Sequence, residues 1–248
     1  MSHPIHLSAI STLPKEKISK EDAAIENASL IEKLVIIQNK LYAQQKYSVL
    51  IVLQGMDTAG KDSAVKNVFS GVNPAGCDVT SFKAPTTEEA AHHFLWRISK
   101  ECPKKGKIQI FNRSHYEDIL VPIVNKTANS KLIKGRCKEI NAFEKGLIRD
   151  NTILFKFYLH ISHKEQLERL SSRKTEEHKR WKYQKEDVIA ISKHKEYRKA
   201  YEVVFKHCSE VPWHIIPADI KWYKNYRILK NIVDELEKYD INYPKIKL

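Results

Sequence analysis

Five short runs of apolar and β-branched residues recur along the chain, and segments long enough to form helices separate them. The runs span residues 48–54, 78–82, 107–111, 152–159 and 213–216. The run before residue 55 is almost entirely apolar, which is typical of a strand that is buried on both faces. The intervening segments include 86–99, 135–150 and 185–206. This alternation predicts βαβ units, and therefore an α/β fold in which helices flank a parallel sheet.

The first 47 residues read as a polar tail followed by one helix. From Lys20 to about Tyr47, apolar residues recur close to the helical period. They are Ile25, Leu30, Leu34, Ile37 and Leu41. The chain has 248 residues, of which 42% are hydrophobic, so it can bury one large core. We expect residues 1–248 to form a single domain.

The charge balance indicates a polyanionic partner. Lysine and arginine number 43 against 30 acidic residues, which gives a formal net charge of +13. Nucleic acid, anionic lipid and polyphosphate would all be attracted to such a protein. The four cysteines form no CxxC pair, and the N-terminus lacks an apolar leader, so we expect a cytoplasmic protein. No stretch approaches the roughly 20 apolar residues that span a bilayer.

Residues Gly55–Lys61 follow the first apolar run and match the GxxxxGK pattern of phosphate-binding loops. In such loops the backbone N–H groups turn inward, the next helix adds its positive N-terminal end, and the lysine reaches the terminal phosphates. We predict that Lys61 is catalytic. The phosphate-binding candidates are Gly55, Thr58, Ala59, Gly60, Ser63 and Lys66. An ordinary glycine-rich strand-to-helix turn is the alternative interpretation.

Asp62 stands where these loops usually carry a Ser or Thr hydroxyl, and a second carboxylate, Asp57, lies within the loop. Two carboxylates would repel phosphates unless a divalent cation lies between them. Mg²⁺ is bound by carboxylates together with phosphate oxygens. We therefore predict that Asp57 and Asp62 are catalytic residues and Mg²⁺ ligands. Asp57 would also face the transferring phosphoryl group or the acceptor.

The stretch KIQIFNRSHYEDIL, residues 107–120, predicts a second functional strand end. Its strand ends in Asn112, where many P-loop enzymes have a metal-binding Asp. Arg113 is placed to bind the transferring phosphoryl group. If a helix begins at Arg113, Glu117 and Asp118 lie one turn further on. Both acids either complement the helix dipole or have a functional role. In the functional interpretation, Arg113 and Glu117 are catalytic, and Glu117 helps to hold the acceptor or a second Mg²⁺. Asn112 either caps this helix or contributes to the acceptor site.

A basic segment, residues 163–187, is the candidate for a lid over an anionic substrate. Arg169 and Arg173 are four residues apart and would share one helix face. Charge runs are usually solvated helix faces, but the upstream phosphate loop favours a phosphate-binding lid. Further along, PADIKWYKN predicts a strand end, an N-capping Asp219 and an outgoing helix.

Together these segments resemble the polyphosphate kinase 2 family. The motifs that carry the resemblance are GMDTAGKD, SGVNPAGCDVTSFKAPT, FNRSHYED, INAFEK, RWKY and PADIKWYKN, in this order. The similarity runs from about Leu7 to Pro244. It implies a P-loop kinase fold with a helical lid and reversible, Mg²⁺-dependent phosphoryl transfer between inorganic polyphosphate and nucleotides. Asn112 makes the chain most similar to the subgroup that accepts AMP as well as ADP.

The resemblance also implies roles for residues outside the loop. Lys83 would line the phosphate channel, and Arg169, Arg173 and Lys182 would belong to the lid. The implied partners are polyphosphate and adenine or guanine nucleotides, without nucleic acid or membrane. We expect a homo-oligomer, either a dimer or a tetramer.

Two alternative functions stay open at the level of the sequence. One is an ATP-dependent nucleoside monophosphate kinase, which needs an adenine pocket for its donor instead of an extended basic channel. The other is a non-catalytic polyanion-binding protein. It explains the net charge but not the paired acids of the loop.

Overall fold

Five parallel strands form one sheet in the order β2-β3-β1-β4-β5 in the computed structural model, which describes residues 5–245. The strands are β1 (Ser48–Gly55), β2 (Cys77–Ser81), β3 (Ile108–Asn112), β4 (Thr152–His160) and β5 (Trp213–Pro217). Every residue of the central strand β1 is buried, between β3 on one side and β4 on the other. The predicted parallel α/β sheet is confirmed, with each strand boundary within one residue of the predicted run.

Helices flank this sheet and form two packed groups. The helices are α1 (Lys20–Gln44), α2 (Lys61–Val68), α3 (Thr87–Ala91), α4 (Trp96–Lys100), α5 (Glu117–Val124), α6 (Ser130–Arg149), α7 (His163–Thr175), α8 (Glu177–Arg180), α9 (Lys185–Ser192), α10 (His194–His207) and α11 (Lys221–Leu236). Helix α11 packs against α1 and α2, while α5, α6 and α10 pack against one another. None of the helices within residues 5–245 is long and apolar enough to cross a membrane.

Helix α1 follows the predicted pattern with two differences. Ser19 caps its start by accepting a hydrogen bond from the Asp22 N–H group, and the helix ends at Gln44, where Gln45 turns left-handed. The predicted end, near Tyr47, was about one turn too late. Leu30, Leu34, Ile37 and Leu41 are buried as predicted, but Ile25 is 74% exposed.

Two predicted helices are wrong in their extent, and the helix start considered at Arg113 is absent. The segment 86–99 is interrupted because His92 has an extended backbone and its ring stacks on Trp96 at 3.9 Å between centroids. The segment 185–206 is divided at Lys193 into α9 and α10. No helix begins at Arg113, because this residue adopts a left-handed φ of 63° and α5 starts only at Glu117.

Asp219 does not cap α11, so this prediction is also wrong. Ile220 precedes the helix, and no side chain caps it. The Asp219 carboxylate instead accepts hydrogen bonds from the Ser162 N–H group (2.8 Å) and the Thr12 hydroxyl (2.7 Å). It therefore ties the N-terminal tail to the connection between β4 and α7.

Candidate active site

An open cleft of about 370 Å³ lies at the carboxyl ends of β1 and β3. The strand register pairs Leu53 with Asn112, so the loop after β1 and the end of β3 meet at one edge of the sheet. Helices α7 and α9 and the segment between them supply the facing wall. Most of the predicted site residues line this cleft, namely Asp57, Thr58, Gly60, Lys61, Asp62, Ser63, Asn112, Arg113, Arg173 and Lys182.

The shape of the phosphate loop requires its two glycines. A Cβ atom on Gly55 would lie 3.0 Å from the backbone oxygen of Leu159 on the neighbouring strand. Gly60 has a φ of +93°, and a Cβ there would lie 2.6 Å from the Lys224 Nζ atom. Between them Thr58 has a left-handed φ of 66°, a strained conformation for a β-branched residue that only surrounding contacts can maintain.

Side-chain donors hold the carbonyl groups of this loop. Lys61 Nζ donates to the carbonyl oxygens of Gly55 (2.7 Å) and Met56 (3.3 Å). Burial lowers the pKa of Lys61. The Gln166 side-chain amide, on α7, donates to the carbonyl of Asp57 at 2.8 Å. Side chains from α2 and α7 thus hold the first half of the loop.

The second half of the loop is held in the same way. Arg169 Nη1 donates to the carbonyl oxygens of Thr58 (3.1 Å) and Ala59 (3.2 Å), and Lys224 Nζ donates to that of Gly60 (2.7 Å). Every carbonyl from Gly55 to Gly60 therefore accepts a hydrogen bond from a side chain.

Four N–H groups of the loop remain available to an anion. Among residues 5–245, the N–H groups of Asp57, Thr58, Gly60 and Lys61 donate no hydrogen bond. Gly60 also directly precedes α2, whose N-terminus carries partial positive charge. Such a nest of N–H groups at a helix N-terminus binds phosphate oxygens.

Arg169 does not lie in the cleft, contrary to the sequence-based expectation that it binds phosphate from the lid. Its guanidinium also donates to the carbonyl oxygens of Ala218 (2.7 Å) and Asp219 (3.0 Å), and its Nε group donates to Glu165 (2.7 Å). The residue is only 8% exposed. Its hydrogen-bonding capacity is used by the protein itself, so its position supports a role in holding the loop.

Arg113 and Asp57 form an ion pair that faces the cleft. Arg113 Nη2 lies 2.5 Å from Asp57 Oδ1, and Nη1 lies 3.9 Å from Glu117 Oε2. Burial alone would lower the pKa of Arg113, but these two carboxylates raise it above the usual value. The left-handed backbone of Arg113 thus brings its charge to the loop of the neighbouring strand.

Glu117 begins α5 and borders a small recess beside the cleft, next to Arg113 and Tyr201. Burial raises the pKa of Glu117. The Gln54 amide, in the orientation that satisfies its neighbours, donates to Glu117 Oε1 at 3.2 Å. The first-turn position complements the helix dipole. Asp57 and Arg113 border both this recess and the cleft.

Asn112 and Asp62 are hydrogen-bonded to each other. The Asn112 side-chain amide donates to Asp62 Oδ1 at 2.7 Å. The alternative that Asn112 caps a helix is wrong, since α5 begins only at Glu117, after Tyr116. The Asn112 amide therefore binds the carboxylate of Asp62, which stands where such loops usually carry a Ser or Thr hydroxyl.

The lid contributes both a cation and an acid to the cleft. Arg173 Nη1 is hydrogen-bonded to the Asp187 carboxylate and donates to the carbonyl of Lys182 at 3.2 Å. Burial raises the pKa of Asp187, against the opposing effect of Arg173. Trp181 also lines the cleft, with 77% of its surface exposed. The position of Asp187, at the end of the predicted lid segment 163–187, was not foreseen from the sequence.

Lys66 and Lys83 lie outside the cleft. Both side chains are exposed. Lys83 follows β2, whose Ser81 pairs with Asn112, so it lies at the same edge of the sheet. Its carbonyl accepts a hydrogen bond of 2.9 Å from the buried Arg97.

A buried polar network beneath the FNRSHYED segment was also not anticipated. Glu144, on α6, accepts hydrogen bonds from Tyr116 (2.5 Å) and Lys156 (2.8 Å), and its carboxylate lies 3.2 Å from His115 Nε2. All four side chains are almost fully buried. The network fixes the residues between Arg113 and α5. Two of the motifs contain its members, FNRSHYED with His115 and Tyr116 and INAFEK with Glu144, but nothing local in the sequence indicates that they meet.

A phosphate loop after the central strand of a parallel sheet, with a lid of basic helices, defines a P-loop phosphotransferase. The sequence model of the polyphosphate kinase 2 family matches residues 17–244. The chain belongs to this family, as its motifs predicted.

Two relatives illustrate the similarity. The chain is 40% identical over 228 residues to an AMP/ADP-polyphosphate phosphotransferase of Meiothermus ruber, covering 91% of this chain and 85% of the relative. It is 34% identical over 229 residues to an ADP-polyphosphate phosphotransferase of Rhodopseudomonas palustris, covering 87% and 79%.

A solved structure agrees with the fold. The crystal structure of polyphosphate kinase 2 from Arthrobacter aurescens superimposes with a TM-score of 0.96 at 34% identity, covering 100% of this chain and 90% of that one.

Proposed function

We propose that this protein transfers a phosphoryl group from inorganic polyphosphate to AMP and to ADP. The main observation in its favour is a single cleft that is lined by residues of the phosphate loop together with four cations, Lys61, Arg113, Arg173 and Lys182. This arrangement suits a chain of phosphates that extends beyond the loop. Relatives named for polyphosphate and for AMP or ADP support the choice of donor and acceptor.

Mg²⁺ fits the donor atoms present at the loop. Asp57 and Asp62 offer carboxylate oxygens to the cleft, and Mg²⁺ prefers such ligands. Within residues 5–245 no group of three His, Cys, Asp or Glu side chains could hold a metal ion. Phosphate oxygens and water would therefore complete the coordination. When bound, the ion would neutralise charge on adjacent phosphates of the donor.

The chain's own residues then bind and orient the reactants. The loop N–H groups and Lys61 hold the donor, and Arg113 offsets the charge on the phosphoryl group as an acceptor oxygen attacks its phosphorus. The bridging P–O bond breaks, so polyphosphate leaves one unit shorter. The acceptor phosphate is already ionised near neutral pH, so Asp57 orients the acceptor and need not remove a proton.

The use of both AMP and ADP is attributed to Asn112. An acid at this position would add a third carboxylate beside Asp57 and Asp62 and repel an acceptor phosphate. The neutral amide lowers this negative charge, and it donates its hydrogen bond to Asp62. The acceptor phosphate can then bind at more than one depth, as AMP and ADP require.

The proposal is tested with purified protein, Mg²⁺ and a matrix of donors and acceptors. Polyphosphate or ATP is supplied as the sole donor, with AMP, ADP or GDP as the acceptor. We expect turnover of AMP and ADP with polyphosphate, and an apparent KM for polyphosphate that rises with added salt. Turnover only with ATP would favour a nucleoside monophosphate kinase. Binding of polyphosphate without turnover would favour a non-catalytic protein.

A further inference from the structure

Lys224 contacts the phosphate loop but is not among the residues that line the cleft. It lies on α11 within the PADIKWYKN segment, and its side chain is completely buried. Its ammonium group donates to the Gly60 carbonyl (2.7 Å) and to the Ser63 hydroxyl (2.9 Å). Ser63 itself lines the cleft. Lys224 therefore contacts a residue that lines the cleft, and it can act on a bound phosphate only through that residue.

The surroundings of this ammonium group are unfavourable for a positive charge. The charged groups that face it are Lys61 and Asp62 from α2, Arg169 from α7 and Lys221 from its own helix. Three of these are cations, and Gly60 marks the N-terminus of α2, where a cation opposes the helix dipole. Burial and these cations lower the pKa of Lys224 to about 7.

Hydrogen bonding alone does not require a lysine here. The Gly60 carbonyl also accepts hydrogen bonds from the Ala64 N–H group (3.0 Å) and the Ser63 hydroxyl (2.9 Å). An apolar side chain of similar length would leave this carbonyl satisfied, and it would remove a buried ammonium group whose transfer out of water is unfavourable. A buried charge that opposes stability in the free protein therefore needs another explanation.

We propose that Lys224 is a positioning residue of the phosphate loop whose buried charge is balanced by bound polyphosphate, and this inference rests on the proposed function. It holds Gly60 and Ser63 so that the loop N–H groups face the cleft. The negative charge of the donor then offsets the repulsion among Lys224, Lys61 and Arg169. The free protein keeps a destabilising charge that becomes favourable only when substrate binds.

Lys224→Met tests the charge, and Lys221→Met is the matched control, since it removes an exposed cation from the same helix. Lys224→Gln retains a donor without charge. We expect Lys224→Met to melt at or above the wild-type temperature. We also expect its kcat/KM for polyphosphate to fall by about tenfold to a hundredfold. Polyphosphate should raise its melting temperature less than it raises that of wild type.

The pH profile gives a second readout that a purely structural role would not change. In wild type, kcat/KM for polyphosphate should fall as pH rises above about 7 and Lys224 loses its proton. Lys224→Met and Lys224→Gln should lack this component. Lys221→Met should keep it but shift it to higher pH, because one of the cations that lower the pKa of Lys224 is removed.

The possible outcomes separate this inference from the proposed function. Absence of wild-type turnover with polyphosphate would refute the function itself. Wild-type kinetics in Lys224→Met would refute only the role of Lys224. A Lys224→Met or Lys224→Gln variant that unfolds would also overturn the inference, because it would show that the ammonium group stabilises the free protein.

Discussion

The guanidinium group of Arg113 and the carboxylate of Asp57 are ion-paired at 2.5 Å across the ends of two neighbouring strands. Each partner is assigned to a different part of the reaction, Arg113 to the phosphoryl group and Asp57 to Mg²⁺ and the acceptor. The pair must therefore separate, at least in part, when substrates bind. Until then it keeps two opposite charges in place beside the loop.

Asp57→Asn should separate binding from turnover. We expect kcat to fall on the order of 10²–10³-fold, because a preorganised charge is lost. The KM for polyphosphate should stay level or decrease, since Arg113 is released from its carboxylate partner. Steady-state kinetics at saturating Mg²⁺ check this prediction. A large rise in KM with unchanged kcat would show instead that Asp57 contributes only to binding.

Asn112→Asp should lower phosphorylation of AMP more than that of ADP. The substitution places a third carboxylate within hydrogen-bond distance of Asp62, where the amide now donates at 2.7 Å. Repulsion of the acceptor phosphate should change the ratio of the two rates. The ratio is measured with one polyphosphate donor for both proteins. If it does not change, the charge argument for dual acceptor use is wrong.

Arg169→Lys should destabilise the protein as well as inactivate it. Lysine cannot reproduce the planar set of donors that binds the carbonyls of Thr58, Ala59, Ala218 and Asp219. Buried carbonyls that lose their donors cost about 1–3 kcal/mol each, so the free energy of unfolding should drop measurably in urea titration. Arg173→Lys, in the lid, is the control. It should reduce activity with polyphosphate while the unfolding midpoint stays close to that of wild type.

The strands and the phosphate loop could be predicted because their signals are local. A buried strand of a parallel sheet is apolar along its whole length, and GxxxxGK places the glycines and Lys61 in consecutive positions. The places of three charged side chains could be predicted from the same elements, namely Asp57, Asp62 and Arg113. The structure brings all three to the cleft.

The rest depended on long-range contacts and on backbone torsions. Nothing near Arg113 in the sequence indicates a left-handed φ. This torsion prevents a helix from starting at Arg113. Arg169 looked like a lid residue because its partners, Thr58 and Ala59, lie more than 100 residues away in sequence. Lys224 and its partner Gly60 are also more than 100 residues apart in sequence. Such contacts form only when the sheet has folded.

Glu144→Gln should lower stability by about 3–5 kcal/mol, because it leaves the buried Lys156 without its ionic partner. Burial alone would raise the pKa of Glu144, but His115 and Lys156 lower it below the usual value. The stability that the carboxylate contributes is therefore present above its unfolded-state pKa and is lost as pH falls through the lower folded-state value. Urea unfolding of both proteins across this acidic range checks the prediction, with the exposed Glu139→Gln on the same helix as control. Equal acid sensitivity of wild type and Glu144→Gln would contradict it.

The most direct test of the proposed function follows the nucleotides over time in a reaction that contains only AMP, long-chain polyphosphate, Mg²⁺ and protein. The wild-type protein should convert AMP to ADP and then ADP to ATP, while polyphosphate shortens by one unit for each phosphoryl group transferred. Lys61→Met, which removes the loop cation, should lower this rate on the order of 10²–10³-fold while it stays folded. Wild-type protein that forms no ADP from polyphosphate, or folded Lys61→Met that forms ADP at the wild-type rate, would contradict the proposed function.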